Sequence, residues 1–366
     1  MPALLGICLP DEVNFFRHGA APRPLAVDRE LALPVYVQAT PGRVRKRGET
    51  LVIQTENDQE TTARLIDTSH LVLMGAVDVT APTLHELMRR EIPVSWYTGG
   101  GWFLGHTTGT GHRNVELRTA QYRASFDPAF CLRLARGLVA SKLRNGRTLL
   151  RRNWRGETLP DPVLGGLQRS ARAAIEAKDL PELLGVEGNG AAIYFGGFGD
   201  TLRTEADVVG KFEFRNRNRR PPTDPVNALL SFLYALLVRE LNVILSAVGF
   251  DSYRGFYHQP RYGRPALALD MMEPFRPLIA DSVVLTAINN GEVNPGDFVY
   301  AGRACALAGS GRKKIIAAFE RRLGGEITHP LFGYRLSYRR LLEVQARLLG
   351  RHLMGEIAAL PAIEPR

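Results

Sequence analysis

The chain has 366 residues, 45% of them hydrophobic, and its 47 Lys and Arg against 37 Asp and Glu leave a formal net charge of +10. That length allows two domains and a sizeable core, and the charge favours a polyanionic partner, nucleic acid ahead of an anionic membrane surface. Cys8, Cys131 and Cys305 are odd in number and too far apart for a disulfide framework, no apolar run reaches the roughly 18 residues of a transmembrane helix, and the first ten residues lack a charged leader, so the expectation is a cytoplasmic protein with no membrane partner.

Residues 1–26 read as an irregular lead-in broken by Pro10, Gly19, Pro22 and Pro24. From 27 to 106 the hydrophobic period is short. Val35-Tyr36-Val37, Leu51-Val52-Ile53, Ala63-Arg64-Leu65-Ile66 and His70-Leu71-Val72-Leu73-Met74 are strand-like, Thr83 to Glu91 is a short helix after Pro82, and the runs flanking Gly99-Gly100-Gly101 form a hairpin. Nothing in this β-rich domain looks catalytic, and its expected role is pairing with a second protomer. Residues 107–114 read as a linker, 115–356 as a helical domain and 357–366 as a tail. The fold class is therefore α+β, with a small N-terminal β-rich domain followed by a larger, mostly α-helical catalytic domain.

Within the helical part, Ala129 to Arg152 carries Leu134, Leu138 and Leu143 on one side, while Lys142 and several arginines fill the rest as a solvated basic face or a DNA-facing one. Arg217, Arg219 and Arg220 lie on a basic loop where each can reach a phosphate oxygen. Asp224 caps a long helix that starts with Pro225 and ends at Gly249. Asn227 and Tyr234 share a face of it, suited to hydrogen bonds around a site or to ordinary inter-helix contacts. Ser310 is a candidate cap for a basic helix whose Arg312, Lys313 and Lys314 suit a phosphate, and Arg335 to Met354 reads as a final helix.

Two stretches carry chemistry. In the segment from Gly255 to Pro277, His258 sits on a Gly/Pro-rich loop, and Asp270 and Glu273 follow as i, i+3 neighbours of a mostly apolar helix that Pro274 should bend. Two such acids repel each other and lose solvation, so they need either an arginine (Arg261, Arg264 or Arg276) or a divalent metal of the Mg or Mn class held by carboxylates and one imidazole. Glu187 stands among Gly185, Gly188, Gly190, Ala191 and Ala192, small residues that let a backbone or ligand approach. No HExxH, GxxxxGK[ST] or CxxC motif is present.

In order along the chain come Gly185-Val186-Glu187-Gly188 with Ala192-Ile193-Tyr194-Phe195, then Arg217 through Tyr234, Gly249-Phe250-Asp251, His258, and Leu267 through Pro277. This ordered set resembles the CRISPR-associated adaptation integrase family, the Cas-one proteins, over roughly residues 30 to 350. The resemblance implies metal ligands at Glu187, His258 and Glu273, with Asp270 an adjacent catalytic acid, and Mg2+ or Mn2+ as cofactor. It implies insertion of short foreign DNA fragments into a CRISPR array by 3′-hydroxyl attack on a phosphodiester, with nuclease action as a related reaction. The other reading of the basic surface is a non-catalytic DNA-binding scaffold. The implied partners are double-stranded DNA (fragment and array), a second copy in a homodimer, and the Cas-two protein. Gly6 to Glu12 resembles the tail of a Cas-four nuclease, which adds that nuclease as a partner. Its other cluster cysteines are missing here, so no iron–sulfur cluster carries over.

Overall fold

The computed structural model describes residues 32–364 except 56–59, 102, 110–113, 159 and 204–211. The lead-in, with Cys8 and the Gly6 to Glu12 segment, lies outside the described residues. The chain forms two compact units, one within Leu25–Arg113 and the other within Asn114–Arg366.

The first unit runs β1 (Leu33–Gln38), β2 (Gly42–Arg47), β3 (Thr50–Thr55), β4 (Glu60–Arg64), β5 (Thr68–Met74), β6 (Val77–Val79), α1 (Ala81–Arg89), β7 (Val94–Tyr97) and β8 (Phe103–Thr107). Two four-stranded sheets result, ordered β1-β5-β7-β8 and β4-β3-β2-β6. β1, β5 and β7 are parallel and β8 returns antiparallel. Parallel neighbours need a crossover, and α1 provides the one between β5 and β7. Val37, Leu71 and Val94 from one sheet meet Val44 and Leu51 from the other and Leu87 of α1 in a shared core. The sequence reading missed β2. Val44 points inward there while Arg43, Arg45 and Arg47 point to solvent, so the two-residue alternation hides inside a run that reads simply as basic. β4 also ends sooner than expected, because Leu65–Asp67 is a single helical turn that buries Leu65.

The second unit contains α2 (Val115–Ser125), α3 (Pro128–Asn153), α4 (Asp161–Glu176), α5 (Leu180–Phe198), α6 (Pro225–Val248), α7 (Ala266–Met272), α8 (Ser282–Asn289), β9 (Phe298–Ala301), β10 (Ala304–Leu307), α9 (Gly309–Gly324), β11 (Glu326–Thr328), β12 (Arg335–Ser337) and α10 (Tyr338–Leu353). α6 is built as its sequence predicts. The Asp224 carboxylate accepts the Asn227 N–H at 2.8 Å, Pro225 sits in the first turn, and Gly249 ends the helix with φ 111°. By length and composition alone α6 passes for a membrane span. Leu229, Leu233, Leu237, Leu241 and Leu245 are nevertheless fully enclosed by protein, and Arg239 pairs with Glu240 at 3.3 Å within the helix.

Three expectations needed correction. Ser310 does not cap α9; its hydroxyl donates to Asp297 at 3.1 Å, and Ala308 holds the cap position. The last helix starts at Tyr338, capped by Ser337, because Arg335–Ser337 pairs as a strand with β11. Residues 357–364 are not a loose tail. Ile357 and Ile363 are buried, Gln345 donates to the Pro361 carbonyl at 2.6 Å, and Asn145 donates to the Ile363 carbonyl at 2.8 Å.

Candidate active site

Glycine placement brings the site's helices together. A Cβ on Gly190 of α5 would meet the Leu143 side chain of α3 at 2.4 Å, so glycine there lets the two helices close without moving Leu143. The approach sets Lys142 of α3 beside Glu187 of α5, and the two form an ion pair. The same ammonium lies 2.7 Å from Oε2 of Glu273, which directly follows α7. Glu273 owes that position to the interruption of the helix. Pro274 has no N–H to continue the ladder, the helix stops at Met272, and a wide turn over Arg276–Asp281 restarts it into α8. The Pro274 carbonyl, freed by the break, accepts from Asn145 of α3 at 2.9 Å.

His258 is fixed by Asp270. Asp270 is fully buried and accepts the backbone N–H groups of Phe256 (2.6 Å), Tyr257 (3.0 Å) and His258 (2.8 Å), and its Oδ1 is 2.7 Å from His258 Nδ1. An acceptor-only carboxylate places a ring proton on Nδ1, and Nε2 lies 3.8 Å from Glu273 Oε1. The oxygens of Asp270 are thus consumed in shaping the loop, whereas those of Glu187 and Glu273 face an ammonium. This division separates Asp270, which orients the histidine, from Glu273, which is available to a ligand. Farther back, Gln121 of α2 clamps the same loop, donating to the carbonyls of Asp251 and Arg254 at 2.7 Å each.

The arginine reading of the acid pair is realised in one contact. Arg276 does pair with Glu273, at 3.0 Å, but Arg261 and Arg264 do not. Burial would raise the Glu273 carboxyl; Arg276, Lys142 and His258 outweigh it and hold the group down at about 2. Burial opposes the charge on Lys142, yet Glu273 and Glu187 raise its pKa overall and keep it an ammonium. Among the described residues no three His, Cys, Asp or Glu side chains are grouped as a ready metal cage. Lys142 instead occupies the cationic position between two carboxylates. The donor set itself, two carboxylates and an imidazole nitrogen with its opposite nitrogen tied down, fits a hard divalent ion.

These groups open into a cavity of about 1380 Å3, whose lining also includes Arg217, Arg219, Arg220, Arg261 and Arg264. Several sequence assignments change. Lys142 is not on an outer basic face; it lies among the acids because they offset its buried charge. Arg217 folds back on α6, donating to Asn227 (2.7 Å) and Ser231 (3.1 Å), so it anchors the basic loop. Asn227 is fully buried and ties that loop to the helix start, accepting from the Asn218 N–H and donating to Asn216 and Asp224, and it does not reach the carboxylates. Tyr234 does line the cavity, with its ring under the Arg276 guanidinium at 4.5 Å. Arg219 and Arg220 remain exposed on the rim. Arg312, Lys313 and Lys314 are not part of this lining; Lys314 pairs with Asp297 at 2.7 Å and Arg312 bonds the Leu307 carbonyl.

The sequence reading passed over Tyr257, whose hydroxyl donates to Glu187 at 2.8 Å, and Asp281, which accepts the hydroxyls of Tyr194 and Tyr234 at 2.7 Å each. Adjacency to His258 was a signal for Tyr257; nothing in the sequence pointed to Asp281. Burial, against the two phenols and the nearby arginines, pushes the Asp281 carboxyl up to about 6. An unfolded aspartate titrates at about 3.9, so from about pH 4 to about pH 6 the folded state holds the extra proton and stability falls as pH rises. Asp281→Asn is expected to flatten that slope when Tm is followed against pH. An unchanged slope would assign the proton elsewhere.

A protein-family model described as CRISPR associated protein Cas1 matches residues 35–321. The chain belongs to the Cas1 family. This Cas1-family chain is 58% identical over 364 residues to a Cas4/Cas1 fusion of Geobacter sulfurreducens, a match covering 98% of this chain and 65% of the fusion, so the chain spans just under two thirds of that relative's length. It is 38% identical to a CRISPR-associated endonuclease Cas1 of Thermus thermophilus, covering 90% of this chain and 96% of the relative. Its fold matches that of a Cas1 protein from Thermotoga maritima with a TM-score of 0.75 at 23% identity, covering 88% and 98% of the two chains. The mixed α+β class, with strands first and helices after, agrees with that Cas1 neighbour.

Proposed function

We propose that the chain is a metal-dependent DNA integrase and endonuclease, inserting short DNA fragments into a CRISPR array by 3′-hydroxyl attack on a phosphodiester. One observation carries this: the carboxylates of Glu187 and Glu273 converge on a single cation, with His258 Nε2 turned toward Glu273, in a cavity rimmed by arginines. Glu187, His258 and Glu273 would hold Mg2+ or Mn2+. Such an ion, when bound, supplies Lewis acidity to a phosphodiester and lowers the pKa of a hydroxyl. Asp270 keeps the proton on Nδ1, so Nε2 stays a donor of electrons. Lys142 and Arg276 balance the buried negative charge before DNA arrives. Arg219, Arg220, Arg261 and Arg264 at the rim suit phosphate oxygens, a salt-sensitive attraction. The strand unit would make the homodimer contact, and Cas2 would be the companion protein. Relatives named as Cas4/Cas1 fusions support a Cas4 link.

A strand-transfer assay with labelled DNA, with and without chelator and Cas2, tests the proposal. Joining is expected with Mg2+ or Mn2+ and absent in chelator. Joining that survives chelation, or DNA binding with no joining under any metal, refutes it, and the second result favours a non-catalytic scaffold.

A further inference from the structure

The loop that delivers His258 continues into a small exposed turn. Arg264 N–H donates to the Arg261 carbonyl at 3.0 Å, and the two arginines form an isolated antiparallel bridge. Gly263 closes the turn with φ 69°, a conformation that other residues enter at a cost. At its tip Tyr262 is fully exposed, at 109% of its reference area, the most exposed of the large apolar side chains among the described residues. A single exposed aromatic is ordinary on a protein surface. This one is unusual in its setting. It lines the cavity that holds Glu187, His258 and Glu273, and Arg261 and Arg264 flank it. Arg264 is close enough to Arg261, Arg220 and Arg276 for their charges, after burial, to depress its pKa. Arg276 is already paired with Glu273, and Asp270 partly offsets the crowding at Arg264, but Arg220 and Arg261 are exposed beside it and suit a polyanion. A flat ring held out between them suits the face of a base.

We propose that Tyr262 is a positioning residue that stacks on an unpaired DNA base next to the reacting phosphodiester, while Arg261 and Arg264 bind the phosphates on either side. This rests on the functional reading above and names the part of the substrate that the turn holds. Stacking tolerates any base because each has a π face, so the turn would set the depth of the strand end and leave sequence unread. It would take up a base that has left the duplex at a branch or a frayed end.

The test places 2-aminopurine beside the joining position of a branched DNA and follows its fluorescence on binding to the full chain. Wild type and Tyr262→Phe are expected to quench the probe. Tyr262→Ala is expected to lose the quench and to raise KM about tenfold with kcat little changed, in keeping with one lost base stack. The side chain is wholly exposed, so folding is not at risk. Equal quenching by Tyr262→Ala, or no quenching by a wild type that binds and joins the DNA, overturns the proposal. A wild type that neither binds nor joins DNA overturns the functional reading itself, which keeps the two failures distinct.

Discussion

Glu187→Gln is expected to reduce DNA joining on the order of a hundredfold or more while leaving the fold and DNA affinity near wild type. The amide keeps the shape of the carboxylate, its one oxygen can still accept from Lys142, and its NH2 can donate to the Tyr257 hydroxyl oxygen in place of accepting from it. What disappears is one negative charge at the place where the site gathers a cation. Glu187 keeps 18% of its side chain exposed, so the loss is partly softened by water. Glu273→Gln should behave differently. That carboxylate is 1% exposed and pairs with Lys142 and Arg276. Neutralising it strands buried cations, a change that costs about 3–5 kcal/mol in comparable pairs, so both joining and stability should fall. Chemical denaturation run beside the joining assay distinguishes the two variants. Joining retained within a few-fold in Glu187→Gln would remove that residue from the reaction.

Asp270→Ala is the second large effect expected. Three backbone N–H groups and an imidazole lose their shared acceptor at a position with no access to water. Each buried donor left unpaired costs about 1–3 kcal/mol, so a loss of at least about 3 kcal/mol is expected, read as a lower Tm and an earlier denaturant midpoint. Asp270→Asn offers no rescue. One carboxylate oxygen serves the Phe256 and Tyr257 N–H groups and the other serves His258, so whichever way the amide lies its NH2 meets two donors. A variant Asp270→Asn with wild-type stability and joining would show that the imidazole is held by something else.

Local rules made much of this legible. The cap, first proline and terminal glycine of α6 lie within a few residues of the backbone they control, and so does the break that Pro274 imposes after Glu273. The clustering of Glu187, His258 and Glu273 came through resemblance, since side chains on α5, a loop and the end of α7 meet only in the folded chain. Composition misled where a charged residue had a buried partner. Arg217 and Lys142 read as surface contacts because arginines and lysines usually are. Asn227, ten residues after Arg217, and Glu187 and Glu273, far along the chain from Lys142, are what redirect them. β2 stayed hidden for a related reason, with its inward positions limited to Gly42 and Val44.

The amide of Asn145 links the break after Glu273 to the carbonyl of Ile363. Trimming the final stretch of chain would therefore be felt at a carboxylate far upstream, through one shared donor.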